Sequence, residues 1–243
     1  MAAMCESPQL LVRRICGRQG VPLNESQLYL LTRFTELVLL WNSKINLLSR
    51  ADSKNIWTSH VHHSISPLFT IDIPVGVTVL DLGSGGGFPG IPLAIVRSDL
   101  HITLLDSIKK KTTALENMIG ELGLKNVSVM SGRAEDLIKK SGRFNVVFAR
   151  GVSSLTDLIK WSKPLLTDRT FGDGIIRTGE AINPRACKIP CLIAMKGGDL
   201  DTEIHTAAAK TGERRITTRN LRFDGSLEAG LENKKFVIVE FDI

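Results

Sequence analysis

A chain of 243 residues has room for one large α/β domain, or for one such domain with a smaller appendage. With 43% hydrophobic and 23% charged residues it has an ordinary globular composition, and no apolar run reaches the roughly 18 residues that a membrane-spanning helix needs. The net charge of +6 favours a polyanionic partner such as nucleic acid without deciding for one.

The first residues, "MAAMCESPQLLVRRICGRQG", carry arginines but lack the apolar stretch of a signal peptide, and read as a short surface helix. Cys5, Cys16, Cys187 and Cys191 are scattered with no C-x-x-C pair. That usage reads as free thiols in a reducing compartment, hence a cytoplasmic protein. From Asn24 to Leu47, apolar Leu28, Leu31, Phe34, Leu37, Val38 and Trp41 recur at helical spacing, with Asn24 as the expected N-cap. A weaker helical stretch follows in "KNIWTSHVHHSISPLF". Residues 1–74 are therefore expected to form a small helical subdomain, and 75–243 the main domain.

After Pro74 the texture alternates. "VTVLDLG", "HITLLD", "NVSVMSG", "FNVVFAR", "CLIAMKG" and "KKFVIVEF" read as strands. Between them "PGIPLAIVR", "KKKTTALENMIGELG", "AEDLIKK", "SLTDLIKWSKPLL" and "GDLDTEIHTAAAKTG" read as helices. This order predicts a mostly parallel, doubly wound sheet, and the unbroken apolar runs suit strands covered on both faces. Thr167 to Pro190 resists assignment and is either a functional loop or a disordered insertion.

Chemistry concentrates in "VLDLGSGGGFPGIPLAI", Val79 to Ile95. In open α/β sheets a ligand lies outside the carboxyl ends of the strands. Gly85-x-Gly87-x-x-Gly90 matches the dinucleotide fingerprint literally, but the first glycine is Gly83, preceded by Asp81. That pattern suits S-adenosylmethionine, whose ammonium an acid at the strand end can orient and whose carboxylate exposed turn amides can receive. Asp106, about 20 residues on, reads as an acceptor for ribose hydroxyls or as a helix N-cap. Ala134 and Glu135 in "SGRAEDL" could lie beside an adenine ring, or Glu135 could be a solvated first-turn carboxylate. No phosphate-binding G-x-x-x-x-G-K-[ST] is present.

"WNSKINLLS", "VLDLGSGGGFPGIPLAI", "LLDSIKKK", "GRAEDL", "FNVVFARGVSSL" and "AMKGG" occur in the order found in the RsmG (GidB) family, which the chain resembles over nearly its whole length. The resemblance implies a class I S-adenosylmethionine-dependent methyltransferase of Rossmann-like fold. Its expected activity is methylation of guanine N7 in small-subunit (16S) ribosomal RNA, free or in an assembling subunit. Cofactor contacts are implied at Gly83, Phe88, the Ala134–Glu135 pair and Arg150; Asp81, Gly85 and Asp106 complete the expected cofactor set. Asn42 and Asn46 resemble family positions near the site, with capping as the alternative. In "TSHVHHSIS" the family usually has an arginine–histidine step and an aspartate; here Ser59 and His63 stand at those places and His60 keeps the pattern.

Guanine N7 carries a lone pair and no proton at neutral pH, so transfer of a sulfonium methyl needs no general base. Positioning is then the main contribution. Arg150 and Lys196, at the ends of two strands on one rim, are the residues expected to position the base or a phosphate, each with a structural ion pair as the alternative. Arg133, Asn42, Asn46 and His60 are expected on the RNA side. The lysines 109–111, Lys139, Lys140 and Arg143 either follow the RNA backbone or are solvated helix faces. No metal is called for, despite His60, His62 and His63. A monomer without membrane association is expected. An NAD-dependent oxidoreductase and a non-catalytic RNA-binding ribosome assembly factor are the alternative readings.

Overall fold

The computed structural model describes residues 6–140, 143–168, 187–223, 225–227 and 230–243. Helix α1 (Pro8–Arg18) starts where Ser7 accepts from the Leu10 amide and proline fills the first turn. Helix α2 (Glu25–Asn42) opens on a capping box, the Asn24 side chain taking the Gln27 amide while Gln27 reaches back to Asn24. Leu31, Phe34, Leu37 and Val38 form its buried stripe, as their spacing predicts. A short α3 (Arg50–Lys54) leads into a π-helical turn, Trp57–His62, followed by α4 (His63–Ile65) and α5 (Pro67–Thr70).

Strands β1 (Thr78–Leu82), β2 (His101–Asp106), β3 (Val127–Ser131), β4 (Val146–Arg150) and β5 (Cys191–Gly197) are parallel. With β6 (Ile216–Asn220) and β7 (Lys234–Glu240) they form one seven-stranded sheet in the order β3-β2-β1-β4-β5-β7-β6. β7 runs against both neighbours, so it alone is reversed. The helices between strands are α6 (Gly90–Val96), α7 (Lys109–Leu122), a 3₁₀ turn at Ala134–Lys140, α8 (Leu155–Ser162) with a 3₁₀ extension at Lys163–Leu165, and α9 (Asp201–Thr211). The expected doubly wound, mostly parallel α/β architecture is present. β6 is an addition: "ITTRN" is polar and its side chains are exposed or half-buried, so no apolar run marks it.

The N-terminal helices lie on the sheet. Ile15, Phe34, Val38 and Ile65 share one hydrophobic cluster with Phe88, Ile91, Leu104 and Ile193. A second cluster fills the opposite face, where α8 and α9 cover Leu80, Val147 and Leu192. Of the Thr167–Pro190 stretch, residues 169–186 lie outside the described residues, as does Cys5. Cys16, Cys187 and Cys191 are free thiols, and the last two approach to 3.7 Å between sulfurs.

Candidate functional site: the cleft at the strand ends

Strand order turns outward from β1, with β2 on one side and β4 on the other, so a crevice opens at their carboxyl ends. The glycine turn after β1 forms its floor. The amides of Gly83 and Ser84 donate to the Leu105 carbonyl, those of Gly87 and Phe88 to the Ser84 carbonyl, and that of Gly85 to Asp106 Oδ2 at 3.0 Å. These amides close the turn on itself and on β2, which differs from the expectation that they face a ligand. Gly83 has φ +75°, and a Cβ there would meet Val152 Cγ2 at 2.5 Å. Only glycine lets the turn and the segment after β4 approach this closely.

Asp81 is fully buried behind the turn. Its Oδ2 accepts from the Gly90 amide at 2.9 Å, and Oδ1 has no partner among the described residues. Burial raises its pKa to about 7, opposed by the Gly90 amide and by Arg150. Asp106 stands at the end of β2 with Oδ1 on the Ile108 amide at 2.8 Å and Oδ2 on Gly85. It therefore braces the turn and starts the next helical segment while its carboxylate still lines the cleft. The cleft measures about 390 Å³ and is lined by Gly83, Asp106, Ile108, Arg133, Ala134, Glu135 and the Trp161 side, among others. Ala134 is buried, and Glu135 and Arg133 are exposed on this rim.

Arg150, ending β4, lies beyond this cleft. Its Cζ sits 5.4 Å from the centre of the Phe88 ring, and its guanidinium donates to His60 Nδ1 and, at 3.4 Å, to the Ser59 carbonyl. Burial pulls its pKa down to about 10 against the pull of Asp81 and Asp52, so it stays charged at neutral pH. Phe88 is buried between Phe34, His60 and Arg150, behind the turn and away from the cleft wall where a cofactor contact would place it. His60, His62 and His63 are buried. Desolvation, then Arg150, lowers His60 to about 4; desolvation alone lowers His62 to about 4; His63 is pushed well down by the same cause. All three are neutral imidazoles at pH 7.

Lys196, at the end of β5, donates to Glu203 Oε1 at 2.7 Å and to the Ser153 carbonyl at 3.0 Å. Asn42 accepts from the Leu47 and Leu48 amides at 2.8 Å each, the capping alternative. In doing so it shapes the loop that rests Leu47 on the glycine turn at Gly86. Asn46 is exposed on that loop. The side chains of Lys139 and Lys140 lie outside the described residues. The structure thus gathers Gly83, Asp106, Ala134, Glu135 and Arg133 at one cleft, and Arg150, His60 and Phe88 in a packed group behind it. Glu203, which touches Lys196, carried no motif signal in the sequence; Ser59, whose carbonyl meets Arg150, stood out there only as a departure from the family pattern.

With this geometry in place, comparison with known proteins is informative. The family model for GidB, described as rRNA small subunit methyltransferase G, matches residues 27–172. A "Ribosomal RNA small subunit methyltransferase G" of Chlorobaculum tepidum is 39% identical over 81% of this chain and 81% of its own. One of the same description from Bacteroides fragilis is 37% identical over 89% of this chain and 94% of its own. The chain belongs to this family. Among solved structures, MtNAS in complex with MTA and tNA aligns with a TM-score of 0.51 at 12% identity, covering 96% of this chain and 76% of that one, which speaks for the fold alone. The protein is a methyltransferase, and its methyl donor is S-adenosylmethionine. The residues present fit that donor: Asp106 lies on the wall of a cleft sized for a small molecule, with Gly83 and the Ala134–Glu135 pair on the same lining.

Proposed function

We propose that the protein transfers a methyl group from S-adenosylmethionine to N7 of a guanine in small-subunit ribosomal RNA, as a cytoplasmic monomer. Family membership supports the substrate class. The observation that supports a base-free N-methylation is the state of His60, which meets Arg150 at the end of β4: its Nδ1 is occupied by Arg150 and its pKa is lowered to about 4. A proton acceptor of that kind is ill-suited to work at neutral pH, and guanine N7 offers no proton to remove.

When bound, S-adenosylmethionine supplies an electrophilic methyl group on a sulfonium. Asp106 would hold the ribose hydroxyls and the Ala134–Glu135 pair would flank the adenine, while Asp81, buried behind the turn, braces it through the Gly90 amide instead of touching the ammonium. Arg150 keeps a fixed positive charge beside the place where the base enters, held by His60 and Phe88. A guanidinium so fixed can donate to a phosphate of the entering nucleotide and so help align N7, and the rate gain then comes from orientation. Arg133 on the cleft rim and Asn46 on the adjoining loop are exposed and would meet the RNA.

Incubation with labelled S-adenosylmethionine and small-subunit RNA lacking the modification is expected to place label in a 7-methylguanine nucleoside. Label in another nucleoside, or none from a folded protein that binds S-adenosylhomocysteine, would overturn the assignment.

A further inference from the structure

A second cleft, of about 540 Å³, opens beside the first at the ends of β4 and β5. Gly151 and Val152 line both clefts, so the second space adjoins the one assigned to the methyl donor. Its wall carries one carboxylate, Glu203 on α9, beside the Lys196 ammonium, with Arg150 and Lys234 also among the lining residues. Glu203 Oε1 accepts from Lys196 Nζ and from the Leu155 amide, both at 2.7 Å. Among the described residues both bonds to this carboxylate fall on Oε1. The side chain lines the cleft and keeps 31% exposure, and Oε2 makes no hydrogen bond among the described residues. Burial works against the charge of Glu203, but Lys196 and the Leu155 amide outweigh it and hold the carboxyl below its usual range.

A carboxylate repels the phosphates of an RNA. It attracts a base edge that presents donors. Guanine carries two adjacent donors, N1–H and the 2-amino group, next to the acceptor O6. Adenine presents an unprotonated N1 at the corresponding place, which a carboxylate opposes. A carboxylate with an ammonium 2.7 Å away therefore matches guanine's order of donors and acceptor. We infer that Glu203 selects guanine by accepting from N1–H and the 2-amino group through Oε2, with Lys196 donating to O6. A base held in this way has N7, on its other ring, free of both contacts. The target must be unstacked to enter, as for other enzymes acting on a base.

This inference rests on the guanine-N7 reading. It is tested with small-subunit RNA carrying either guanosine or inosine at the mapped target position. Inosine keeps N1–H, O6 and N7 and lacks only the 2-amino group. The intact protein is expected to lose about tenfold in kcat/KM on the inosine RNA, the scale of one lost bond to a charged acceptor. Glu203→Gln is expected to lose about tenfold or more on guanosine RNA and to show little further loss on inosine RNA. Equal inosine penalties for the intact protein and Glu203→Gln would overturn the assignment, because a residue that only braced Lys196 would leave that ratio unchanged. If Glu203→Gln does not fold, the intact protein alone decides: equal kcat/KM on guanosine, inosine and 1-methylguanosine RNAs overturns it. Absence of N7 methylation on guanosine RNA would instead bring down the underlying reading, and this inference with it.

Discussion

The Arg150 guanidinium donates to Nδ1 of His60, and that single contact fixes the imidazole's tautomer. A guanidinium has no acceptor, so Nδ1 must carry the lone pair and the proton must sit on Nε2. Nε2 points towards Asp52 Oδ1, 3.6 Å away. His60 is thus an acceptor that orients Arg150, placed there by the π-helical turn that contains it. His60→Ala should free the guanidinium and lower kcat/KM for RNA methylation by roughly 10- to 100-fold, the scale set by small misplacements of an orienting group. His60→Gln, which can still accept, should retain most activity. Steady-state methyl transfer with a matched thermal melt reads this out, and an alanine variant as active as the intact protein would refute it.

Among the described residues His62 makes no hydrogen bond through either ring nitrogen, and it packs 5.6 Å from the rings of both Phe69 and Phe223. Two buried polar atoms without partners are unfavourable, so His62→Leu should stabilise the fold by about 1 kcal/mol at neutral pH. The gain should widen in acid. Because the folded pKa is depressed from 6.5 to about 4, the unfolded chain binds the proton more tightly, and stability is lost as pH falls through that window. Removing the imidazole removes one proton's share, at most about 1.4 kcal/mol per pH unit. Denaturant titrations between pH 4 and pH 7.5 measure it; a difference that does not grow towards low pH would count against it.

Asp81 acts with the opposite sign. Its folded pKa is raised from 3.8 to about 7 by burial, so the protonated acid is favoured in the native state. Its contribution is fully present below pH 4 and is lost as pH rises through 7. Asp81→Asn can keep an acceptor for the Gly90 amide and should flatten the fall in stability between those values. Because Asp81 does not line the cleft, the same change should leave S-adenosylhomocysteine binding within a few-fold of the intact protein. Calorimetric binding and pH-dependent melts on one variant check both expectations.

Three glycines of the turn should respond differently to alanine. At Gly90 a Cβ would lie 2.3 Å from Leu104 Cδ2 and 2.7 Å from Asp81 Oδ2, so substitution must displace core and carboxylate together. Gly83→Ala meets Val152 and also a φ of +75°, whereas Gly85 has a φ of +55° with its nearest contact, a backbone oxygen, at 3.9 Å. Gly85→Ala should cost about 1–2 kcal/mol from backbone strain alone. Gly83→Ala and Gly90→Ala should cost more, with Gly83→Ala also pushing Val152 out of place between the two clefts. Equal melting temperatures across the three variants would contradict this ranking.

The central strands β1, β4 and β5 and the first long helix were legible because burial on both faces writes unbroken apolar runs, and because Asn24 and Gln27 form a local cap. β6 was not, since an edge strand with polar, partly exposed residues leaves no period to read. The cleft residues that lie just after strand ends, Asp106 with Ala134 and Glu135, were readable from spacing to the glycine turn. What spacing could not give was direction. Phe88, in the turn itself, points into the N-terminal helices, and Asn42 turns back on its own loop. Contacts between elements distant in sequence decide both, as they do the pairings of Lys196 with Glu203 and Arg150 with His60.

The shared core of helices and sheet also bears on how sequence change is tolerated. The layer formed by α1 to α5 contributes the partner that aims Arg150, and it covers the sheet face beneath the glycine turn. A random library screened for loss of modification should therefore show inactivating substitutions at Phe34, Val61 or Ile65 as readily as at the cleft. A fragment beginning at β1 should aggregate on expression, because it leaves that apolar face uncovered. Sequence change is then constrained by packing at buried positions of the N-terminal layer, and is freer at exposed positions such as Arg133 and Asn46.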